Sequence, residues 1–214
     1  MTANIGIKNE VAALKRERTL GAAVDLFYER GYENSTLEAV AERLGVTKPF
    51  IYSHFGSKAD LLAEICGRGI SSSLEAIDSI QGMKGPVAAQ LRIFAQRFVT
   101  AVLENQKHIA IFTREEKNLE AKDFKRISDM RRDFDAKLVS LLESGIKSGE
   151  LHLGDARIAA LAIGGMVSWA YVWYRPNGRL ALAEVADEMS DLIQTMAGVT
   201  APQLKSKRPR VRAL

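Results

Sequence analysis

The chain has 214 residues, and its 47 % hydrophobic composition is enough to bury a core in one large domain or two small ones. Its formal net charge of +4 depends on residues 205–214, which hold five basic side chains and no acidic one; without those five, residues 1–204 carry −1, so charge alone does not identify a nucleic-acid-binding protein. The single cysteine, Cys66, excludes an internal disulfide, and the N-terminal sequence lacks the apolar stretch of a secretory signal, so we expect a cytoplasmic protein.

The first part of the chain shows the period of amphipathic helices rather than the alternation of strands. Four helices are predicted, the first ending at Gly31 and the second at Gly45. Their apolar positions are Leu20, Ala23, Val24 and Phe27; Leu37, Val40, Ala41 and Leu44; Ile51 and Phe55; and Leu61, Leu62 and Ile65. Three short helices therefore precede residue 56.

The rest of the chain is also predicted to be helical. Residues 82–86, GMKGP, form the clearest break, since glycines end a helix and a proline can begin the next one. The apolar positions beyond it are Leu91, Phe94, Phe98 and Val102; Ile109 and Phe112; Phe124, Ile127, Phe134, Leu138 and Leu141; and Leu182, Val185, Met189, Leu192, Ile193 and Met196. These stretches predict a second, all-helical domain.

Residues 158–174 carry no charged side chain. The run reaches only the lower edge of the ~17 to 25 residues that a membrane-spanning helix needs, and glycines lie at its centre. We therefore expect a helix that is buried on all sides, by its own domain and by a second subunit, with Gly164 and Gly165 allowing close approach.

The second and third helices have the spacing of a helix-turn-helix, joined at residues 44–47, LGVT. Gly45 suits the tight turn because it can adopt a positive φ. Thr36 and Thr47 stand where N-caps are expected, one before each helix. Unpaired amides at a helix N-terminus form a site for a DNA phosphate.

Residues 22–62, AAVDLFYERGYENSTLEAVAERLGVTKPFIYSHFGSKADLL, resemble the DNA-binding domain of the TetR family of transcriptional regulators. The resemblance is carried by the Gly-Tyr after the first helix, Thr36, the Ala-x-x-x-Gly-Val turn, and Tyr-x-His-Phe-x-x-Lys at residues 52–58. It implies a homodimer that binds a palindromic double-stranded operator and represses transcription until a small molecule binds. The implied domains are residues 1–60 for DNA, 61–204 for ligand and dimerisation, and 205–214 as a basic tail that either contacts phosphate or is a solvated end.

The resemblance also implies a DNA-facing set. Its members are Thr36, Thr47, Lys48, Pro49, Phe50, Tyr52, Ser53, His54 and Lys58. Lys48, Phe50 and Ser53 are the expected base readers, whereas Tyr52, His54 and Lys58 are expected to position the protein. Where the family often carries a small pair, this chain has Pro49 and Phe50, and Phe50 is predicted to contact a thymine methyl group; the alternative is that Phe50 packs on the surface of its own domain.

The effector site is predicted from aromatic residues at helical spacing and from arginines that could meet an anionic group. The candidate residues are Phe94, Phe98, Phe112, Arg114, Phe134, Trp169, Trp173 and Arg175. Aromatic residues at helical spacing are more often plain core than a ligand site, and the shared face of Trp169 and Trp173 could line either the pocket or a dimer interface. Residues 167–185 are similar to a subgroup that responds to acyl-CoA thioesters, while the rival effector is an uncharged hydrophobic drug or metabolite.

Other classes of function find little support in the sequence. His54, His108 and His152 lie in separate segments, and no nucleophile elbow, phosphate-binding glycine loop or metal-ligand spacing occurs. We therefore predict no enzyme activity, no cofactor, no metal site and no membrane association. A DNA-binding scaffold without an effector is the remaining alternative.

Overall fold

The computed structural model describes residues 2–199, with side chains from residue 10 onward. This part of the chain is helical and contains no β-strand, as predicted. The helices are α1 (Thr2–Arg30), α2 (Leu37–Leu44), α3 (Lys48–Tyr52), α4 (Lys58–Asp78), α5 (Val87–Glu104), α6 (Gln106–Glu115), α7 (Ala121–Ser148), α8 (Ala156–Ser168), α9 (Ala170–Trp173) and α10 (Leu182–Met196). A 3-10 turn, Glu116–Asn118, joins α6 to α7.

The described residues form two compact units. The first contains residues up to Ser72 together with Glu104–Arg131, and the second contains Ser73–Leu103 together with residues from Arg132 onward. Helices α4 and α7 supply residues to both units. The predicted domain boundary after residue 60 lies in the first turn of α4 and remains a prediction, and the basic tail at residues 205–214 lies outside the described residues.

The first unit has one core, built from the apolar faces of α1 to α4, from α6 and from the start of α7. Its most deeply buried side chains are Leu20, Leu26, Phe27, Val40, Ile51, Leu61, Leu62, Ile65 and Ile111. Burying a side chain of this size stabilises a fold by roughly 1.5–3 kcal/mol. The short helix α3 is too short to be stable alone, so Ile51 and the neighbouring Phe55 hold it against the core.

The second unit has an aromatic centre on α5 and α7. The rings of Phe94, Phe98 and Phe134 pack together, with centroids 4.9 Å apart for Phe98 and Phe134 and 5.4 Å for Phe94 and Phe98. The predicted stripe along α7 is wrong at two positions: Phe124 is 48 % exposed, and Leu142 rather than Leu141 is fully buried. The sequence pattern overestimates the buried stripe of α7. Apolar positions repeated along a long helix drift around its axis, so some of them no longer face the same neighbouring helix.

Helix α8 is buried along one side only within the single chain. Ile163 and Val167 are completely buried, whereas Ile158 is 67 % and Leu161 is 66 % exposed. Residues 156–173 are long and apolar enough to cross a membrane by length and composition, a test that core helices of soluble proteins also pass. The inner face of α8 is therefore buried by its own domain, as expected. Burial of the outer face by a second subunit remains a prediction.

Candidate nucleic-acid interface

The turn between α2 and α3 has the geometry of a helix-turn-helix. Gly45 adopts φ 65° and ψ 34°, and its amide donates to the carbonyls of Ala41 and Glu42, which closes α2. A residue with a Cβ would be strained in this left-handed conformation. At the other end of α2 the Thr36 hydroxyl accepts a hydrogen bond from the Ala39 amide at 3.1 Å, so the predicted cap is confirmed.

Thr47 occupies the predicted position before α3, but its side chain makes no capping hydrogen bond. The neighbouring residues explain why. Pro49 has no amide proton to offer, and the Phe50 amide donates to the Thr47 backbone carbonyl at 3.0 Å. The exposed Thr47 hydroxyl is therefore not used within the helix.

Helix α3 has an inner and an outer side. Ile51 is fully buried and Tyr52 is 46 % exposed. Lys48, Pro49 and Ser53 are also exposed, and the Ser53 hydroxyl donates to the Phe50 carbonyl at 2.7 Å. A local bond of this kind is easily exchanged, so Ser53 can still turn toward a base or phosphate.

Phe50 is half-buried and packs against the core of the first unit. Its ring meets the His54 ring edge-on, with centroids 5.1 Å apart, and the Lys15 ammonium lies 5.6 Å from its centroid. This arrangement favours the alternative in which Phe50 packs on its own domain. Contact with a thymine methyl group remains a prediction for the DNA-bound state.

Lys48 is paired with a residue that the sequence did not single out. Its ammonium contacts the carboxylate of Glu38 in the first turn of α2, and it lies 5.6 Å from the Tyr52 ring centroid. The hydrogen bond from Lys48 is the main reason that the pKa of the Glu38 carboxyl lies below its ordinary value. The signal that could have found Glu38 is its place two residues after the Thr36 cap, because the first turns of α2 and α3 adjoin in this motif.

Lys58 is predicted to contact a DNA phosphate, but in the structure it binds the turn between α1 and α2. Its half-buried ammonium donates to the carbonyls of Tyr32 at 2.9 Å and Ser35 at 3.0 Å, with Glu33 at 3.5 Å. The same ammonium lies 4.2 Å from the Tyr32 ring centroid. Lys58 therefore fastens this turn to the start of α4, and its phosphate role stays a prediction.

Helix α6 also contacts the turn between α1 and α2. The Glu115 carboxylate at the end of α6 accepts a hydrogen bond from the Tyr32 amide at 3.2 Å and another from the Asn118 side chain at 2.9 Å. Burial, together with the negative charges of Glu120 and Glu115, raises the pKa of the Tyr32 hydroxyl. The turn before α2 is thus held from both α4 and α6.

Charged residues at the start of the first unit connect α1 to the helices behind α3. Arg16 donates to the His54 carbonyl at 2.7 Å and to Glu64 at 2.8 Å, and its guanidinium lies 4.1 Å from the Phe55 ring centroid. Arg68 on α4 forms a two-pronged pair with Glu17, both contacts being 2.7 Å. Arg16 therefore positions the end of α3 rather than standing free for DNA.

The predicted effector residues are divided between the two units. Phe94, Phe98 and Phe134 are fully packed against one another in the second unit, which favours the plain-core alternative. In the same unit Trp169 is 60 % and Trp173 is 50 % exposed. Of the remaining candidates, Phe112 and Arg114 belong to the first unit.

The two predicted arginines are engaged locally. Arg175 donates to the carbonyls of Val172 and Tyr174, each at 2.9 Å, and so caps the end of α9. Arg114 donates to the Ala110 carbonyl at 3.1 Å. The effector set therefore remains a prediction that would require these side chains to rearrange.

Two clefts open on the surface of the second unit. One, of about 310 Å³, is lined by α4, the loop that follows it, α5 and α7, including Gln81 of the loop, Gln90 and Lys137. The other, of about 420 Å³, lies between α7 and α8 and is lined by residues including Val139, Ala160 and Leu161. Neither cleft contains the predicted aromatic residues. Within residues 10–199 no group of three or more metal-ligating side chains occurs.

Comparison with known families identifies two matching regions. A family model described as bacterial regulatory proteins, tetR family, matches residues 20–65. A second, described as the C-terminal domain of tetracyclin repressor-like proteins, matches residues 84–197, more than half of the chain. The first match contains the helix-turn-helix and Lys58, and the second contains α5 to α10.

Individual relatives cover most of the chain. The HTH-type transcriptional repressor KstR2 of Rhodococcus jostii is 25 % identical over 190 residues, which is 88 % of this chain and 92 % of the relative. The fatty acid metabolism regulator protein of Bacillus subtilis is 24 % identical over 184 residues, 84 % of this chain and 93 % of the relative. The crystal structure of AibR in complex with isovaleryl coenzyme A and operator DNA has the same fold, with a TM-score of 0.72 and 24 % identity over 83 % of this chain and 97 % of that one.

Proposed function

The chain belongs to the TetR family of bacterial transcriptional regulators, and from this premise we propose that it is a homodimeric repressor of a palindromic operator, released by a small hydrophobic effector. The observation that carries the DNA-binding part is helix α3. It presents Lys48, Tyr52 and Ser53 outward beside the open Thr47 hydroxyl, while Ile51 anchors it. A two-fold dimer would then place two such helices about 34 Å apart, one helical turn of DNA.

The DNA-binding proposal can be tested with the full chain and a pool of random-sequence duplexes. Selection should enrich a palindromic sequence, which is then titrated by fluorescence anisotropy. Replacing Tyr52 with Phe removes one exposed hydroxyl from α3, and should weaken operator binding by about fivefold for each α3 that contacts DNA, since one hydrogen bond contributes about 1 kcal/mol. Tyr28, which is 44 % exposed on α1, provides the matched control Tyr28→Phe.

The possible outcomes distinguish operator binding by the protein from a DNA contact made by Tyr52. If no sequence is enriched, the proposed operator binding is wrong. If a palindrome is enriched but Tyr52→Phe binds it as tightly as the wild type, only the contact by Tyr52 is wrong. The control should bind as the wild type does.

The effector we favour is an acyl-CoA thioester from lipid or steroid breakdown. An acyl tail suits the apolar interior of the second unit, and the phosphates of coenzyme A suit arginine side chains. Support comes from the relatives, one named for fatty acid metabolism and another crystallised with isovaleryl coenzyme A. The alternative, an uncharged hydrophobic drug or metabolite, fits the observation that Arg175 and Arg114 are already hydrogen-bonded within the chain.

Thermal unfolding distinguishes these effectors. A ligand at 100 times its Kd stabilises the native state by about 2.7 kcal/mol, so the melting temperature should rise. We expect a rise with acyl-CoA thioesters of increasing chain length and a smaller one with coenzyme A alone. A rise only with uncharged hydrophobic compounds supports the alternative, and no rise with either class supports a DNA-binding scaffold without an effector.

The homodimer is proposed from exposed apolar residues of the second unit. Ile158 and Leu161 on α8 and Leu192 on α10 are each more than half exposed. A Cβ added at Gly164 or Gly165 would meet no atom within 4 Å, so another helix could approach α8 closely there. A second copy covering this apolar surface would remove it from water, which is the main driving force for association.

We further infer that the regulator works in the cytoplasm, without a membrane, cofactor or catalytic site. Its family consists of DNA-binding regulators rather than enzymes. The apolar residues 156–173 are then explained by the second subunit instead of by lipid. A chain that behaves as a soluble dimer without detergent supports this reading.

A further inference from the structure

The face of the first unit that includes α3 carries an acidic residue where a DNA-binding surface should be basic. Glu38, in the first turn of α2, contacts the ammonium of Lys48 in the first turn of α3. Both side chains are about half exposed, 54 % for Glu38 and 51 % for Lys48. The pair therefore lies on the surface and not in the core.

Stability alone does not account for this pair. Exposed ion pairs contribute little to folding, because water screens them and two long side chains must be ordered. Glu38 also favours α2 as an acidic residue near the helix N-terminus, but any acidic residue in the first turn would do so without reaching Lys48. The contact with Lys48 is thus a separate feature of the surface.

The pair changes what α3 offers to DNA. An unpaired lysine beside a duplex displaces a counterion from phosphate, and this binding is independent of base sequence. A lysine whose ammonium is held by a carboxylate offers no net charge for that purpose. The O6 and N7 atoms of a guanine are acceptors that can replace the carboxylate, but they are present only in the right sequence.

We propose that Glu38 is a specificity-determining residue, which holds Lys48 away from phosphates and thereby lowers the affinity of the protein for non-operator DNA. The proposal rests on the operator binding proposed above. Lys48 exchanges Glu38 for a base only at the operator. The Tyr52 ring, 5.6 Å from the same ammonium, favours the position of Lys48 beside α3 in both states.

The test measures how the affinity for a non-operator duplex depends on salt. Replacing Glu38 with Gln should free Lys48 and steepen the plot of log affinity against log salt by about 0.9 for each bound α3, the contribution of one phosphate. For one bound α3, each tenfold decrease in salt concentration should then raise the non-operator affinity of the variant about eightfold more than that of the wild type. The ratio of operator to non-operator affinity should fall by a similar factor at low salt.

Two controls make the result specific to the pair. Glu42→Gln removes an exposed carboxylate one turn further along α2, and it should not change the slope. In the double variant Glu38→Gln, Lys48→Met, the steeper slope should disappear.

Several results would overturn the inference. These are an unchanged slope for Glu38→Gln, an equal change for Glu42→Gln, or a steeper slope that persists in the double variant. A wild-type protein that enriches no DNA sequence refutes the proposed function instead. A wild type that binds its operator while Glu38→Gln behaves normally refutes the role of Glu38 alone.

Discussion

Replacing Lys58 with Met separates two roles for this residue, the phosphate contact expected from sequence and the clamp seen in the structure. The ammonium makes two short hydrogen bonds, to the carbonyls of Tyr32 and Ser35, and contacts the Tyr32 ring. Hydrogen bonds from a charged group contribute about 1.5–3 kcal/mol each, and a cation–π contact about 0.5–1 kcal/mol. Two such bonds and the ring contact would add up to about 3.5–7 kcal/mol, but the half-buried site is partly screened by water, so we expect a smaller loss of about 2–4 kcal/mol.

The loss should appear first as opening of the turn between α1 and α2. Hydrogen exchange followed by mass spectrometry on the peptide containing residues 31–36 should show amides exchanging about 30- to 900-fold faster, the equivalent of 2–4 kcal/mol. Lys84→Met is the matched control, since Lys84 is an exposed lysine of the second unit. Unchanged exchange in Lys58→Met, combined with weaker operator binding, would refute the clamp and restore the phosphate contact.

Three further predictions concern burial. Burial raises the pKa of the Cys66 thiol to about 12, so at pH 8 the native chain should react with a thiol reagent about 1,000-fold more slowly than the unfolded chain, and a difference below tenfold would contradict this. Burial, helped by the Arg68 guanidinium, lowers the pKa of the His108 imidazole from 6.5; the unfolded chain therefore takes up the proton first, and stability should be lost as the pH falls below about 6.5. Thermal unfolding of His108→Gln should show a smaller loss than the wild type between about pH 7 and 5, and an equal loss would contradict the assignment. Leu161→Glu should raise the dimer dissociation constant in sedimentation at least about 100-fold, since two copies lose about 1.5–3 kcal/mol each, whereas Leu14→Glu, at a site 60 % exposed in the first unit, should not.

The positions that the sequence predicts well are those governed by local rules. Gly45 has the positive φ that a tight turn requires, and Thr36 caps α2, because each depends only on residues within one helical turn. Ile51 is buried as its period predicts. The same short-range pattern, apolar residues at helical spacing, predicts that the helices exist and which residues lie on the inner face of the first unit.

The positions that the sequence predicts less well depend on partners distant along the chain. Lys58 reaches a turn 23 to 26 residues earlier, and Glu115 reaches Tyr32 across 83 residues. A motif records that a lysine stands at position 58 but not which acceptor it finds. Thr47 shows the same limit at short range, because a neighbouring proline removes the amide that a cap would use.

Fewer cationic side chains near α3 are available to neutralise DNA phosphates than the sequence contains. Four cationic residues of the first unit already have partners: Lys48 contacts Glu38, Lys58 donates to backbone carbonyls, Arg16 contacts Glu64, and Lys15 lies over the Phe50 ring. Each partner must be given up before the cation can neutralise a phosphate. Binding should consequently depend less on salt than the count of basic side chains implies, and more on amides and hydroxyls whose contacts require the correct groove geometry. Pairing the cations within the protein should therefore weaken binding to random DNA more than binding to an operator. A repressor needs this difference because the genome offers many competing non-specific sites.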